Sequence, residues 1–336
     1  MNNTSLNSMK IDRKRIYIFF LDHIIEVCLI LLVIALTFSA NRFLTWANWM
    51  NILRANSLKG VIAFGMTMVI ISGQIDLSIG STVGLSGVIV ALACRELTAN
   101  GMDLNTACII GMVLSLLLAI VIGWIHGFFQ HKTGMPAFIV TLASLYALLG
   151  MAGRLSGGFP IPNQFPDWYN GLGGGRIGGL NGIPISTIIL LVSFLVIWFI
   201  MGYTTTGRAT YAVGGNPESA RLSGINVGKT KIIVFIAVQV LAVISGFMTS
   251  GQVMSGTFTF GKGWELDVIA AVVVGGTSFT GGVGKVWGTL VGVIFMGVIS
   301  NGMTLLNIDI HTQFIVKAFI MFLAVLFSSY RARVKA

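Results

Sequence analysis

The sequence predicts an all-α integral membrane protein with about ten transmembrane helices, both termini in the cytoplasm, and a short cytoplasmic helix. Two observations on composition carry this prediction. The mean hydropathy of the 336 residues is +0.89, and hydrophobic residues make up 55% against 10% charged residues. Soluble domains carry about 25% charged residues, so this composition cannot supply a water-exposed surface. We expect residues 1–336 to form a single transmembrane domain.

Apolar runs follow one another along the chain, and a bilayer crossing needs roughly 20 such residues. The predicted spans are 17–39, 58–74, 78–95, 104–129, 136–152, 185–203, 229–250, 266–281, 286–305 and 312–329. The segment 41–57 carries tryptophans, which favour the headgroup layer, and is predicted to be a separate interfacial helix. The polar, basic residues 1–15 precede a run without a clear cleavage site, which indicates a retained first helix rather than a signal peptide.

The formal net charge of +10 comes from basic residues that cluster between apolar runs. With ten spans, about 13 of them lie on the side of the termini and about 7 lie opposite, the opposite set including Lys59. Asp267 is placed on that opposite side too. The positive-inside rule makes the richer side cytoplasmic and explains the charge without nucleic acid. Residues 204–228 are then a cytoplasmic connection, and 153–184 form an external loop.

The segment 214–224, GGNPESARLSG, contains the signals that delimit a short helix. Asn216 suits the N-cap, Pro217 the first helical position, and Gly224 the C-terminal stop. Glu218 lies at the positive end of the helix dipole. A helix of about two turns is marginal alone and needs a surface to pack on. That surface is either the protein's own bundle or a cytoplasmic partner.

The segment 69–87 interrupts an apolar run with three polar residues, Gln74, Asp76 and Ser78. A carboxylate at membrane depth is costly, so an intramembrane Asp lines a cavity or has a partner. Asp76 either caps the following helix or contacts a transported solute. We expect Asp76→Ala to lower uptake more than assembly, and unchanged uptake would remove Asp76 from the candidate pathway residues.

The segment 275–292 is a second Gly-rich break between spans, and it contains Thr277 and Ser278. Its glycines at 284, 288 and 292 form a small-residue stripe, which indicates helix packing or a hinge. With Asn301, these hydroxyl residues and the polar residues of 69–87 are the candidate lining of a translocation pathway.

Other polar and sulfur-containing residues lie within apolar runs. They are Asp22, His23, Glu26, His126, Gln313, Lys317 and the cysteines Cys28, Cys94 and Cys108. Asp22 and Glu26 lie four residues apart, which fits a proton relay or, more simply, an interface position near the helix start. The cysteines show no metal spacing and are predicted to be packing residues.

Residues 256–262 fit the pattern G-x-x-x-x-G-K, but Gly263 follows where a P-loop requires Ser or Thr. No clear strand precedes the pattern, and the predicted topology puts it outside. We therefore expect no ATPase in this chain, no catalytic residue, no metal and no cofactor.

Three segments in order, GQIDLSIGS, AVGGNPESARLSGINV and ELDVIAAVVVGGTSFTGGVGKVWGTLVGV, resemble the bacterial monosaccharide ABC-transporter permeases of the ribose, galactose and xylose type. The resemblance runs from about residue 45 to the C-terminus. It implies a bundle of about ten spans that works as a pair, in the bacterial inner membrane. It also implies a separate sugar-type ATPase and a periplasmic sugar-binding protein. The residues that the resemblance assigns to ATPase coupling are Gly215, Asn216, Pro217, Glu218, Ala220, Arg221 and Gly224.

The function that this resemblance implies is import of a monosaccharide or similar small polyol, driven by ATP hydrolysis on the separate subunit. Two other classes stay open. An ion-coupled secondary transporter would use Asp76 with Asp22 and Glu26, and would leave the cytoplasmic helix without a role. A membrane-embedded enzyme would need a nucleophile or a metal cluster. The sequence leaves open whether the substrate is a pentose, a hexose, a polyol or a cyclic autoinducer, and whether the partner permease is identical or homologous.

Overall fold

The computed structural model describes residues 23–162, 164–179 and 181–335, with side chains as far as Leu326. This part of the chain forms thirteen helices. They are α1 (Ile24–Ser39), α2 (Trp46–Ile71), α3 (Ile79–Ala99), α4 (Leu104–Thr133), α5 (Ala137–Leu155), α6 (Asp167–Gly173), α7 (Ile185–Tyr203), α8 (Thr205–Gly215), α9 (Pro217–Leu222), α10 (Val227–Val253), α11 (Trp264–Val274), α12 (Val286–Leu305) and α13 (Ile310–Lys335).

Four two-residue strands form two small antiparallel pairs. β1 (Ile161–Pro162) pairs with β4 (Ser255–Gly256), and β2 (Arg176–Ile177) pairs with β3 (Ile183–Pro184). Because β1 to β3 all lie within 153–184, that loop is structured rather than open. The loop also contains α6, whose Tyr169 is fully buried and bonded to Ser250 of α10 across 2.9 Å.

Helix α10 lies at the centre of the bundle and packs against α2, α3 and α4. Glycines allow its closest approach to α4. A Cβ atom at Gly123 or Gly127 would fall on the backbone of Ile236 or Ile232 of α10. The two helices therefore touch backbone to backbone, as small residues permit in membrane bundles.

The prediction of a separate interfacial helix over 41–57 is wrong. Residues 46–57 are the first turns of α2, which continues unbroken to Ile71. Thr45 caps this helix by accepting from the backbone N–H of Asn48. The exposed Trp46 marks only the first turn of this helix. Its indole N–H donates to the carbonyl oxygen of Asn181 across 2.7 Å.

The predicted span over 266–281 is wrong as well. Its helix, α11, has 11 residues, which is about 16 Å and too short to cross a bilayer. Residues 257–263, which precede α11, are non-helical and pack into α3. A Cβ atom at Gly80 or Gly84 would meet the carbonyl oxygen of Gly261 or Phe258. The glycines of α3 thus accommodate irregular backbone within the bundle, where it is shielded from lipid.

The glycine stripe predicted over 284–292 packs α12 against α11. A Cβ atom at Gly288 would fall on the carbonyl oxygen of Gly275, and one at Gly292 on that of Ala271. The packing interpretation is therefore the one that the geometry favours. Gly284 sits at the start of this contact, beside Thr277.

Seven helices of the described part of the chain are long and apolar enough to cross a membrane: α2, α3, α4, α5, α7, α10 and α12. Two shorter apolar helical stretches, Ile24–Ser39 and Ile310–Leu326, accompany them. The structure thus describes a multi-pass membrane protein, while the expectation of ten spans stays unconfirmed. Residues 1–15 and Asp22 lie outside the described part.

Candidate functional site

The two ends of the bundle carry different features. One end carries the 153–184 loop and is called the loop end; the opposite end carries α8 and α9 and is called the α9 end. The predicted connection 204–228 is thus largely helical. Thr204 caps α8 by accepting from the N–H of Gly207, and Asn226 caps α10 by accepting from the N–H of Lys229.

The short helix α9 forms as the sequence predicts. Oδ1 of Asn216 accepts from the N–H of Ser219 at 2.9 Å, and Pro217 occupies the first turn. Gly224, with a φ of 82°, lies just beyond the helix end. Only Gly and a few polar residues adopt this left-handed conformation readily, so Gly224 suits this position.

The surface of α9 is exposed and mixed in character. Glu218 accepts two hydrogen bonds from Arg221, of 2.6 and 3.1 Å, and these bonds lower the pKa of its carboxyl group. Leu222 is 74% exposed, which is unusual for a leucine, while Ala220 is buried against the chain itself. Helix α9 therefore packs on its own bundle through Ala220 and presents charged and apolar groups outwards.

Helix α8 is attached to the ends of two other elements. A Cβ atom at Gly214 would fall on the carbonyl oxygen of Ile71, the last residue of α2. The same carbonyl accepts from the N–H of Gly282 at 2.8 Å, and the hydroxyl of Tyr211 donates to the carbonyl of Gly284 at 2.9 Å. The α9 end thus joins α8, the end of α2 and the 275–285 turn in one contact.

Asp76 lies in the break between α2 and α3 and is fully buried. Its Oδ1 accepts from the N–H and the hydroxyl of Ser78, at 2.8 and 2.7 Å. Its Oδ2 accepts from Nε2 of Gln239 on α10 at 2.8 Å and lies 3.3 Å from Nδ1 of His126 on α4. The carboxylate therefore has partners within the bundle, and its local bonds go to Ser78, the residue just before α3, rather than to an N–H group of α3 itself.

Further polar side chains surround this carboxylate, and we call the set the Asp76 network. Oε1 of Gln239 accepts from the hydroxyl of Thr82 at 2.6 Å, and Nε2 of His126 lies 2.8 Å from Oγ of Ser144 on α5. The network therefore connects α3, α4, α5 and α10 around the break. Sequence reasoning missed Gln239 and Thr82, since no local pattern relates Gln239 to a residue 163 positions earlier.

The six candidate pathway residues lie in three separate places rather than in one site. Asp76 and Ser78 are buried in the network, and the partly exposed Gln74 lies beside them in the break. Thr277 is fully buried, and the hydroxyl of Ser278 lies 2.8 Å from that of Thr280 in the 275–285 turn. Asn301 lies at the other end of the bundle. Its side-chain amide exchanges two 2.9 Å hydrogen bonds with that of Asn48 on α2.

A charged group lies inside the bundle, although the sequence analysis placed two of its members on the external side and the third within the last span. Nζ of Lys59 on α2 forms an ion pair with Oδ2 of Asp267 on α11, and Nζ of Lys317 on α13 lies 3.8 Å from Oδ1 of the same carboxylate. Placing Lys59 and Asp267 on the external side was wrong. The error followed from the span boundaries, because α2 begins well before residue 58.

The remaining polar and sulfur-containing residues play smaller parts. Nδ1 of His23 lies 3.6 Å from Oε1 of Glu26 at the start of α1. Gln313 donates to the carbonyl of Ile308 in the turn before α13. Cys94 and Cys108 are buried free thiols, as predicted for packing residues, whereas Cys28 is exposed on α1.

Comparison with known proteins gives a family for this chain. The model of the family described as "Branched-chain amino acid transport system / permease component" matches residues 48–325. The ribose import permease protein RbsC of Escherichia coli (strain K12) is 39% identical over 298 residues, covering 89% of this chain and 90% of the relative. RbsC of Bacillus subtilis (strain 168) is 36% identical, with 89% of each chain covered.

The L-arabinose transport system permease protein AraH of Escherichia coli (strain K12) is 32% identical over 306 residues, covering 90% of this chain and 89% of the relative. No solved structure matches the chain. The resemblance predicted from three segments is therefore confirmed over most of the sequence. The chain belongs to the family of transport-system permease components that includes the ribose and L-arabinose permeases.

Proposed function

We propose that this chain is the transmembrane subunit of an ATP-driven importer that carries a monosaccharide or similar small polyol into the bacterial cytoplasm. The observation that carries the proposal is the similarity over about 90% of the length to permeases named for ribose and L-arabinose. A sugar is favoured over a branched-chain amino acid because these individual relatives are named for sugars. The chain itself undergoes no chemistry in this proposal; it provides the path.

The proposed importer needs a separate ATPase, and α9 is its proposed contact. The helix is rigidly delimited by Asn216 and Gly224, and it presents the ionised Glu218 beside the exposed Leu222. Protein interfaces combine an apolar core with a polar rim, and Leu222 with the neighbouring Glu218–Arg221 pair offers both kinds of group. The α9 end then faces the cytoplasm, which agrees with the excess of basic residues predicted for that side.

The attachment of α8 supplies a route for motion. An ATPase that pulls on α9 moves α8, and α8 contacts the end of α2 and the 275–285 turn. That turn joins α11 to α12. A displacement of α8 is therefore transmitted to the long helices α2 and α12 and to the short α11. A packed bundle of this kind changes between discrete arrangements, which provides alternating access.

The other proposed partners follow the same plan. A periplasmic binding protein delivers the sugar at the loop end, and a second permease copy, identical or homologous, completes the pathway in the inner membrane. Helix α13 presents apolar side chains such as Phe314 and Phe322 to the membrane. The secondary-transporter alternative depends on Asp76, and the carboxylate of Asp76 already accepts three hydrogen bonds within the bundle.

Deleting the gene in the bacterium that encodes it tests the proposal. Uptake of radiolabelled D-ribose, L-arabinose, D-xylose, D-galactose and L-leucine is measured with and without the gene supplied again. We expect one of the sugars to lose most of its uptake and to regain it on complementation. Loss confined to L-leucine, or no loss at all, would contradict import of a sugar.

A further inference from the structure

The ion pair between Lys59 and Asp267 lies at the middle of the bundle. Lys59 is 13 residues from Trp46 and 12 from Ile71, the two ends of α2. At 1.5 Å per residue these distances are about 20 and about 18 Å. Charged side chains at this depth are costly and mark solute pathways more often than surface positions. The position of Lys59 and Asp267 therefore indicates a functional role rather than that of ordinary surface charges.

The charged side chains of this group border an open cleft between α2, α11, α12 and α13. The cleft holds a cavity of about 30 Å³, so a sugar fits there only after the lining helices separate. It is lined by Asn56, Lys59, Asp267, Val268, Ala271, Val293, Met296, Ser300 and Lys317. Lys59 and Asp267 remain 30% and 28% exposed, and Lys317 16%. These groups can be reached from the cleft, in contrast to the fully buried Asp76 network.

The cleft lies at the start of a discontinuous helix. Helix α11 begins inside the bundle, after Gly263 and beside the irregular segment that packs against Gly80. Transporters use interrupted helices at mid-membrane to place polar groups around a substrate. Asp267 belongs to the first turn of α11, so its carboxylate is held where the helix begins.

The chemistry of the lining fits a polyhydroxylated ligand. Each ammonium group offers three donors, the carboxylate offers only acceptor sites, and Asn56 and Ser300 add groups that do both. Sugar hydroxyls can accept from the lysines and donate to Asp267 at the same time. The aliphatic residues of the lining, among them Val293 and Met296, suit the C–H face of a sugar ring.

We propose that the cleft bordered by Lys59, Asp267 and Lys317 is a transient binding site for the transported sugar, midway through the permease. The ammonium and carboxylate groups exchange their mutual contacts for hydrogen bonds to sugar hydroxyls, and re-form them when the sugar leaves. In the empty state Asp267 pairs with Lys59 and lies near Lys317, which leaves the cluster with a net charge of +1. This inference rests on the proposed import of a sugar, and it names the residues that receive it.

Three variants separate sugar binding from a purely structural ion pair. Asp267→Asn and Lys59→Met each remove one charge, and the double variant removes both members of the close ion pair and keeps the net charge of the cluster at its original +1. Replacing a buried ion pair by neutral residues is often harmless to stability, so a structural role predicts recovery in the double variant. A binding role predicts no recovery. Asp103→Asn and Lys132→Met, both at exposed positions, serve as matched controls.

Uptake of radiolabelled D-ribose, L-arabinose, D-xylose and D-galactose is measured in the deletion strain carrying each variant. The abundance of each variant in the membrane and the midpoint temperature of its thermal unfolding are measured in parallel. We expect at least a tenfold loss of uptake in both single variants and in the double variant, with abundance near that of the controls. Uptake that is unchanged, or restored in the double variant, overturns the binding site. Absence of sugar uptake by the unaltered chain refutes the proposed function instead.

A labelling measurement covers variants that fold poorly. Ser300→Cys, in a chain with Cys28→Ser, places one reactive thiol in the cleft, because Cys94 and Cys108 are buried. We expect the transported sugar to slow its reaction with a membrane-permeant methanethiosulfonate reagent at least threefold. Thr304→Cys, one turn further along α12 and exposed, is the control and should show no protection. Equal rates with and without sugar at Ser300→Cys, in cells that take up the sugar, contradict the proposal.

Discussion

Nε2 of Gln239 donates to Oδ2 of Asp76 across 2.8 Å, joining α10 to the break between α2 and α3. Both side chains are fully buried. The bond attaches the central helix α10 to the segment between α2 and α3. It thereby fixes which face of α10 packs against α3. A break in a membrane helix is tolerated where such partners satisfy the freed backbone, and here Asp76 satisfies the N–H of Ser78.

Removing the Asp76 carboxylate should destabilise the fold. Asp76→Ala leaves the N–H and the hydroxyl of Ser78 without their acceptor and removes one of the two acceptors of Nε2 of Gln239, at a cost of about 3 kcal/mol. We expect the detergent-solubilised protein to unfold at a clearly lower temperature and to accumulate less in the membrane. This expectation differs from the one drawn from the sequence, in which uptake falls more than assembly, and measuring uptake together with the thermal midpoint decides between them.

The comparison for Asp76 is Asp103, whose exposed carboxylate caps α4. Asp103→Asn retains a side-chain acceptor for the N–H of Thr106, so its thermal midpoint should stay near that of the original chain. If Asp76→Ala also kept the original midpoint while losing uptake, a direct role in transport would replace the structural one.

The contact between α11 and α12 should not tolerate a side chain at Gly292. A Cβ atom there would collide with the carbonyl oxygen of Ala271. We expect Gly292→Ala to cost about 1–3 kcal/mol, because overpacking forces the two backbones apart. Gly150→Ala is the matched control, since a Cβ atom meets nothing within 4 Å at that helical position. An alanine in an exposed helix should be neutral or slightly stabilising. Equal midpoints for the two variants would refute this packing.

The attachment of α8 should transmit motion rather than bind the ATPase. Gly214→Ala places a methyl group against the carbonyl of Ile71 and displaces α8 from the end of α2. We expect the ATPase to remain associated through α9 while sugar uptake falls several-fold. Gly202→Ala, at an open position near the end of α7, is the control. Loss of the ATPase together with uptake would show that Gly214 belongs to the docking surface itself.

The sequence predicted α9 well because its signals are local. Asn216, Pro217 and Gly224 each affect the backbone within one helical turn of their own position. The local sequence therefore contains the information that delimits the helix. The glycine stripe on α12 was predictable for the same reason, since its period is that of a helix. The identity of its partner, α11, was not.

Features that depend on distant residues could not be predicted in this way. Lys59, Asp267 and Lys317 come from three helices, and the predicted spans 58–74 and 266–281 put the first two at external span ends. Hydropathy likewise ended the interfacial segment at residue 57, whereas packing keeps α2 helical from Trp46 onwards. Run length cannot distinguish the half-helix α11 from a span, because the run continues through the Gly-rich turn.

The central claim, that this permease is driven by a separate ATPase docked on α9, is tested most directly by co-purification from detergent. The original chain is compared with a variant carrying Glu218→Lys and Leu222→Glu, both at exposed positions that leave the buried Ala220 in place. Phe159→Glu is the control, because Phe159 is 75% exposed but lies at the loop end. We predict that a cytoplasmic ATPase accompanies the original chain and the control, and is lost from the α9 variant. An ATPase that accompanies none of the three, from cells whose sugar uptake depends on this chain, would contradict the account.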